Sequence, residues 1–372
     1  MSPYIIEAEQ KLNDLLPKQR LEGSPPAALM AAAKSWSDEV WEHALRMGPM
    51  PLTDDQFIHG RLLAKNPVFI CGVHRSGTTL VKDILDGHPD LVVLPSEGTW
   101  YTNLESKLSI LPKDEWAAFL GKEWLRRLAN PINQPPYWLA GRSSPYASPY
   151  VDFARYMMAW WTQVKRDNDQ WPHIVVVLAW ASCINKLGVR YWVDKTPVNE
   201  LYLSRILKSL PQAKVIEVIR DPIAVLNSRK KMEPSLNFRR ALRELQISFE
   251  AALRQSPSIR ARFMIVHYEE LCEDPETITR EMASFLDIPM SAELNRPTVA
   301  GVPAQANSSF IKEPEAGKVI SVAEHHQADI LSKAEKDLIA VYIGRLSVRL
   351  KYPLHQVGFF RGLYLRIRYR LL

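Results

Sequence analysis

Residues 67–79 constrain the fold of this chain more than any other stretch. Pro67-Val68-Phe69-Ile70-Cys71 is a short apolar run, Gly72 and Gly77 bracket a tight loop, and a helical pattern begins at Thr78 and continues to about Asp86. A strand, a glycine-bracketed loop and a helix in that order aim the loop's backbone N–H groups and the helix N-terminus at one point, which suits an anion. Such a unit needs neighbours. Three further apolar runs read as buried parallel strands because neither face alternates: residues 191–193, 215–219 and 263–266. Each precedes a predicted helix start, and helical patterns occupy residues 200–210, 239–253, 275–286 and 333–350.

The alternation predicts the α/β class: a P-loop-type three-layer fold with a central parallel sheet flanked by helices. Residues 1–65 read as an N-terminal helical cap, with helices from Tyr4 to Leu16 and from Ala27 to Met47 separated by Ser24-Pro25-Pro26. Residues 66–355 form the α/β domain, interrupted at about 100–181 by a Trp-, Tyr- and Pro-rich helical insertion. Within it the run 174–181 fits either a strand or a buried helix. Seven of the 47 Lys and Arg residues fall between Arg345 and Leu372, where no Asp or Glu occurs. Against the chain's 41 acidic residues, the remainder is close to neutral. The basic tail, residues 356–372, interleaves arginines with Phe359, Phe360, Leu363, Tyr364, Ile367 and Leu371. Two readings stand: peripheral contact with an anionic membrane surface, and a tail packed on the domain.

With 47% hydrophobic and 24% charged residues, the composition excludes a disordered, collagenous or disulfide-stapled chain. Cys71, Cys183 and Cys272 are far apart in sequence and offer neither a disulfide framework nor a zinc motif. The opening residues lack a basic segment followed by an apolar one, so a cytoplasmic chain is expected.

Gly72-Val73-His74-Arg75-Ser76-Gly77-Thr78-Thr79 has the glycine spacing of a nucleotide P-loop, in the strand–loop–helix context that gives such a match weight. Its seventh position departs from the pattern. A nucleotide triphosphatase places Lys there to reach the β and γ phosphates, whereas this chain has Thr78, and Arg75 is left to supply planar donors for phosphate or sulfate oxygens. Further along, Arg220 ends an apolar run, Asp221 can cap the following helix, Pro222 suits its first turn, and Ser228 follows two turns later. An Arg and a hydroxyl near a helix start form a second anion site.

The segment Val73 to Leu80 resembles the 5′-phosphosulfate loop of the sulfotransferases that use 3′-phosphoadenosine 5′-phosphosulfate (PAPS). The segment Val218 to Ser228 resembles their 3′-phosphate site. His88-Pro89-Asp90, Pro95-Ser96-Glu97, Asp194-Lys195-Thr196-Pro197 and Val266-His267-Tyr268-Glu269-Glu270-Leu271 are similar to the branch that includes tyrosylprotein and many bacterial sulfotransferases. The resemblance covers roughly residues 67–286.

It implies sulfuryl transfer from PAPS to an acceptor hydroxyl, leaving adenosine 3′,5′-bisphosphate, with no metal. Glu97 is then the general base, and Arg75 and Lys195 are the charge stabilisers. Ser76, Gly77, Thr78 and Thr79 bind the donor with Arg75, joined by Arg220, Ser228 and Tyr268. His74 and His88 compete with Glu97 for the role of base, since histidine titrates nearest neutrality. Asp194 is assigned to orienting Lys195 or a loop N–H.

The acceptor carries a hydroxyl, with a carbohydrate, a glycolipid, tyrosine and a small alcohol all open, and no nucleic-acid partner is expected. The aromatic insertion, with Trp124, Tyr137, Trp138, Tyr156, Trp160, Trp161 and Trp171, is read mainly as core. A P-loop kinase or NTPase and a nonenzymatic nucleotide-binding module are the alternative readings.

Overall fold

A computed structural model describes residues 3–16, 25–130, 150–166, 172–255, 257–304, 315–322 and 328–369. Five strands, β1 (Pro67–Cys71), β2 (Leu91–Val93), β3 (Tyr191–Lys195), β4 (Lys214–Ile219) and β5 (Phe263–His267), form one sheet in the order β2-β3-β1-β4-β5. Every neighbouring pair is parallel, with Ile70 of β1 opposite both Lys195 of β3 and Ile216 of β4. A short antiparallel hairpin, β6 (Thr298–Val299) and β7 (Val302–Pro303), completes the β structure of the described residues.

Helices connect the strands. Before the sheet come α1 (Pro3–Leu15), α2 (Ala27–Met47) and α3 (Asp54–Leu63), and α4 (Thr78–Asp86) follows the first loop. Between β2 and β3 lie α5 (Glu105–Ser109), α6 (Trp116–Ala129), α7 (Tyr150–Arg166) and α8 (Ile174–Cys183). Next come α9 (Leu203–Ser209), α10 (Pro222–Met232), α11 (Phe238–Leu253) and α12 (Pro257–Arg260). The last are α13 (Tyr268–Glu273), α14 (Pro275–Leu286), α15 (Lys333–Arg349) and α16 (Phe359–Arg368).

The strands are apolar on both sides because both sides are covered. Val68 and Ile70 pack with Leu80, Val81, Ile84 and Leu85 of α4 and with Met282 and Leu286 of α14. On the opposite face Phe69, Val92 and Trp192 join a cluster that takes in α2, α6, α7 and α8. The N-terminal helices and the insertion thus share one core: Trp36, Trp124, Trp160 and Trp180 are all buried in it. Gly121 is where α6 admits the Trp41 ring, since a Cβ there would overlap the indole. Each buried large apolar side chain of this kind contributes roughly 1.5–3 kcal/mol.

The ambiguous run 174–181 is the helix α8, apolar all round because it is enclosed all round. Trp180 Nε1 donates to Val93 O at 3.0 Å, fastening α8 to the sheet edge. Trp124 and Trp160 are core, Tyr156 and Trp161 are half-buried against it, and Tyr137, Trp138 and Trp171 lie outside the described residues, as do Ser24 and Leu371. The helix expected from residue 200 begins instead as a 3₁₀ turn, Asn199–Tyr202, with Asn199 and Glu200 turned inward.

Candidate active site

All five strands of the sheet release their chains toward one edge, and the residues singled out in the sequence collect there: the loop after β1, Glu97 after β2, Lys195 at the end of β3, Arg220 after β4 and Tyr268 after β5. The strand order reverses at β1, flanked by β3 and β4, and such a switch point opens a crevice at the carboxyl ends of parallel strands.

Gly72 takes φ 132°, and a Cβ on it would overlap Val218 O of the neighbouring strand. Gly77 takes φ 104° and lies over Tyr268, whose ring occupies the space a side chain would need. Between them Arg75, not a glycine, holds φ 75°, a conformation that costs of order 1–3 kcal/mol unless its surroundings fix it. Two contacts fix it here. Arg75 Nε donates to Ser228 Oγ at 3.0 Å, and Arg75 O accepts from Arg220 Nη1 at 3.2 Å.

The Arg220 guanidinium in turn lies 4.3 Å from the centre of the Tyr268 ring. Asp221 caps α10 by accepting from Ala224 N at 2.7 Å, with Pro222 in the first turn, so the cap predicted from the sequence is present. Arg75, Gly77, Arg220, Ser228 and Tyr268 therefore form one connected group. Ser76 and Thr78 are buried beside them and Thr79 is exposed at the start of α4. Ser76 Oγ and Arg220 Nε are buried polar atoms with no hydrogen-bond partner among the described residues. A buried hydroxyl in the loop and, beside it, a cationic N–H whose carboxylate partner Glu269 Oε1 stands off at 4.0 Å are donors an anion would satisfy.

Glu97 and Lys195 meet directly, Nζ to Oε1 at 2.6 Å. The lysine side chain is only 6% exposed and the glutamate side chain 40%. Burial pushes the Glu97 carboxyl up, but Lys195, His74 and Arg127 outweigh it and hold the group below the usual carboxylate value.

The backbone around Glu97 is pinned from two sides. Below it, Asp194 Oδ1 accepts from Gly98 N at 2.9 Å and from Thr196 Oγ1 at 3.0 Å, while Thr196 Oγ1 accepts from Thr99 N at 2.9 Å. Asp194 thus orients a loop N–H, one of the two roles expected of it. Burial pushes its carboxyl up to about 6 despite those hydrogen bonds. Above, Arg127 of α6 donates to Glu97 O and, at 3.0 Å, to Thr99 Oγ1, and Glu123 Oε1 holds the guanidinium at 3.0 Å.

Of the two histidines, His88 is fully buried: its Nδ1 accepts from Asp90 N at 3.0 Å, which leaves Nε2–H to donate to Pro289 O at 2.8 Å. Both nitrogens are engaged in holding a turn, and His88 has none to offer as a base. His74 projects from the loop, exposed, close enough to Glu97 to influence its charge.

Sequence reasoning missed three contributors. Arg127 lies on a helix with no motif of its own. Glu200 Oε2 accepts from Gly72 N at 2.9 Å, gripping the start of the loop from beneath. Glu217 of β4, fully buried, accepts from Ser248 Oγ at 3.0 Å. The one available signal was a Glu inside an otherwise apolar strand, Val215-Ile216-Glu217-Val218-Ile219. Burial pushes Glu200 up to about 7 and Glu217 well above the ordinary value, the charge of Glu200 adding to the shift on Glu217.

Comparison with known proteins sets this geometry beside one family. The model described as "Sulfotransferase family" matches residues 67–292. The protein-tyrosine sulfotransferase of Drosophila melanogaster is 20% identical over 317 residues, 83% of this chain and 53% of that protein. Carbohydrate sulfotransferase 3 of Mus musculus is 32% identical over 105 residues, 22% of each. The chain spans about half the length of the first of these relatives and less of the second. A solved sulfotransferase structure from Mycobacterium avium superposes with a TM-score of 0.45 at 15% identity, covering 96% of this chain and 94% of that one.

Proposed function

Since the chain belongs to the sulfotransferase family, we propose that it is an enzyme that transfers a sulfuryl group from PAPS to an acceptor hydroxyl. The observation that carries this reading is the joining of Arg75, Arg220 and Ser228 into one group around buried donors that have no hydrogen-bond partner among the described residues, at the carboxyl edge of a parallel sheet. Thr78 at the position of the P-loop lysine favours a phosphosulfate over a nucleoside triphosphate.

Arg75, Ser76, Gly77, Thr78 and Thr79 would hold the 5′-phosphosulfate, and Arg220 and Ser228 the 3′-phosphate. Tyr268 supports both from beneath, under Gly77 and against the Arg220 guanidinium. When bound, PAPS supplies a sulfuryl group whose S–O bond to the phosphate breaks as a new S–O bond to the acceptor forms. Glu97 takes the proton of the acceptor hydroxyl. Lys195 keeps that carboxylate ionised; as its ammonium turns toward developing charge on sulfuryl oxygens, the restraint on Glu97 falls and its basicity rises. No metal is assigned to any of these roles. The acceptor belongs to the class of hydroxyls named for the relatives, protein tyrosine or carbohydrate.

Calorimetric titration with adenosine 3′,5′-bisphosphate, 5′-AMP and ATP with magnesium tests the donor. Preference for the bisphosphate, followed by transfer of labelled sulfate from PAPS, is the expected result. Preference for ATP with magnesium would replace this reading with kinase or NTPase chemistry.

A further inference from the structure

The C-terminal helix α16 carries an apolar face that is turned away from the protein. At about 100° per residue, Phe359, Phe360, Leu363, Tyr364 and Ile367 fall within an arc of roughly 140°. Phe359 is 77% exposed, Phe360 85% and Ile367 63%, and among the described residues nothing covers them. The opposite side of the helix is the docked one. Leu365 is buried in the cluster formed with α10, α11 and α15. Gly362 faces Val341 of α15, Arg361 Nε binds Asp337 Oδ2 at 3.1 Å, and Tyr342 Oη donates to Tyr369 O at 2.8 Å. The helix is thus held in a fixed orientation, its apolar side presented outward.

The margins of that face are cationic. On the same projection Arg366 borders one side of the apolar arc and Arg368 the other, and both are exposed. Arg345 and Arg349 add positive charge from the preceding helix, Lys351 being paired with Glu270 Oε1 at 2.9 Å, and no acidic residue occurs from Arg345 onward. Arginines flanking an aromatic and aliphatic face can keep their charges at headgroup level while the rings enter the acyl boundary. A second copy of the chain fits this face poorly, because a two-fold contact would bring like-charged margins together.

We propose that α16 is a membrane-surface anchor that lies flat on an anionic lipid bilayer and holds the domain there. The helix has ten residues, and no helix among the described residues is long and apolar enough to cross a membrane, so the contact is interfacial. The inference rests on α16 and its surroundings and is independent of the sulfuryl-transfer reading. If both hold, acceptors borne on lipids become accessible at the surface where the enzyme resides.

Vesicle cosedimentation of the full chain tests the proposal. The protein should sediment with phosphatidylcholine vesicles containing phosphatidylserine, be released as salt rises, and sediment much less with phosphatidylcholine alone. Phe359→Ser/Phe360→Ser should lower binding to the anionic vesicles about tenfold at an unchanged melting temperature. Arg366→Gln/Arg368→Gln should remove part of the salt-sensitive component. Failure of the parent protein to sediment with either vesicle, or a double phenylalanine variant that binds like the parent, overturns the assignment. So does sedimentation velocity showing a parent dimer that the phenylalanine substitutions dissociate, since the face would then belong to a second copy.

Discussion

The loop after β1 and the segment after β2 bring charged side chains to the same edge of the sheet, yet they are held by different means. The first is set by its own sequence: two glycines with positive φ, a helix N-terminus, and an arginine whose strained backbone is fixed by Arg220 and Ser228 from the adjoining β4–α10 unit. The second has little local structure of its own. Glu97 stays in place because Asp194 and Thr196 bond the backbone just after it from the sheet side and Arg127 bonds it from the helical layer. The proposed anion site and the proposed base are therefore held by separate parts of the fold, and substitutions should separate them.

The largest effect is expected at the proposed base. Glu97→Gln preserves size and hydrogen bonding but cannot take a proton, so kcat should fall by about 10²-fold or more with affinity for adenosine 3′,5′-bisphosphate nearly unchanged. Labelled-sulfate turnover beside calorimetry reads both, and a variant with normal turnover would remove Glu97 from the role. Arg220→Ala should do the reverse, weakening the bisphosphate by roughly 10- to 100-fold through loss of charged hydrogen bonds.

Arg127→Met sharpens the contrast from outside the site. It should lower kcat about tenfold while leaving donor affinity and melting temperature close to those of the parent, and Arg127→Lys should recover part of the loss. Equal losses in donor affinity and kcat would mean that the two halves are not separately supported.

The smallest effect concerns the acids beneath the loop. Glu200 and Glu217 lie buried near Cys71, with Ser248 and Glu244 of α11 facing them. Unfolded, these carboxyls ionise near 4.5; folded, burial pushes Glu200 up to about 7 and holds Glu217 well above its ordinary value, the charge of Glu200 adding to the latter. The native state then binds more protons than the unfolded one, so stability should decline as pH rises from about 5 to 7. Glu217→Gln keeps an acceptor for Ser248 and should flatten that decline, as followed by melting temperature against pH. A slope identical to the parent's would show that Glu217 is not a protonated group in the fold.

Much of the architecture was legible because buried parallel strands leave a plain trace. The runs at 191–193, 215–219 and 263–266 are β3, β4 and β5, and the helix predicted over 275–286 is α14. The ambiguity at 174–181 was genuine, since a helix enclosed on all sides and a strand covered on both faces show the same unbroken apolar pattern. At the site, Arg75, Arg220 and Ser228 announced themselves by spacing from a glycine loop and from a helix cap. Arg127 could not, because an arginine near the end of an amphipathic helix reads the same whether it faces solvent or clamps a loop.

By itself the sequence determined the glycine-bracketed loop, the Arg220-to-Ser228 helix start and the parallel sheet that joins them, because each depends on local backbone geometry and on burial of short apolar runs. The tertiary structure decided which histidine is only structural, how Lys195 pairs with Glu97, and that the N-terminal helices and the insertion share one core. It also decided which side of α16 faces outward. Those outcomes rest on contacts between residues far apart in the chain, and only packing brings such residues together.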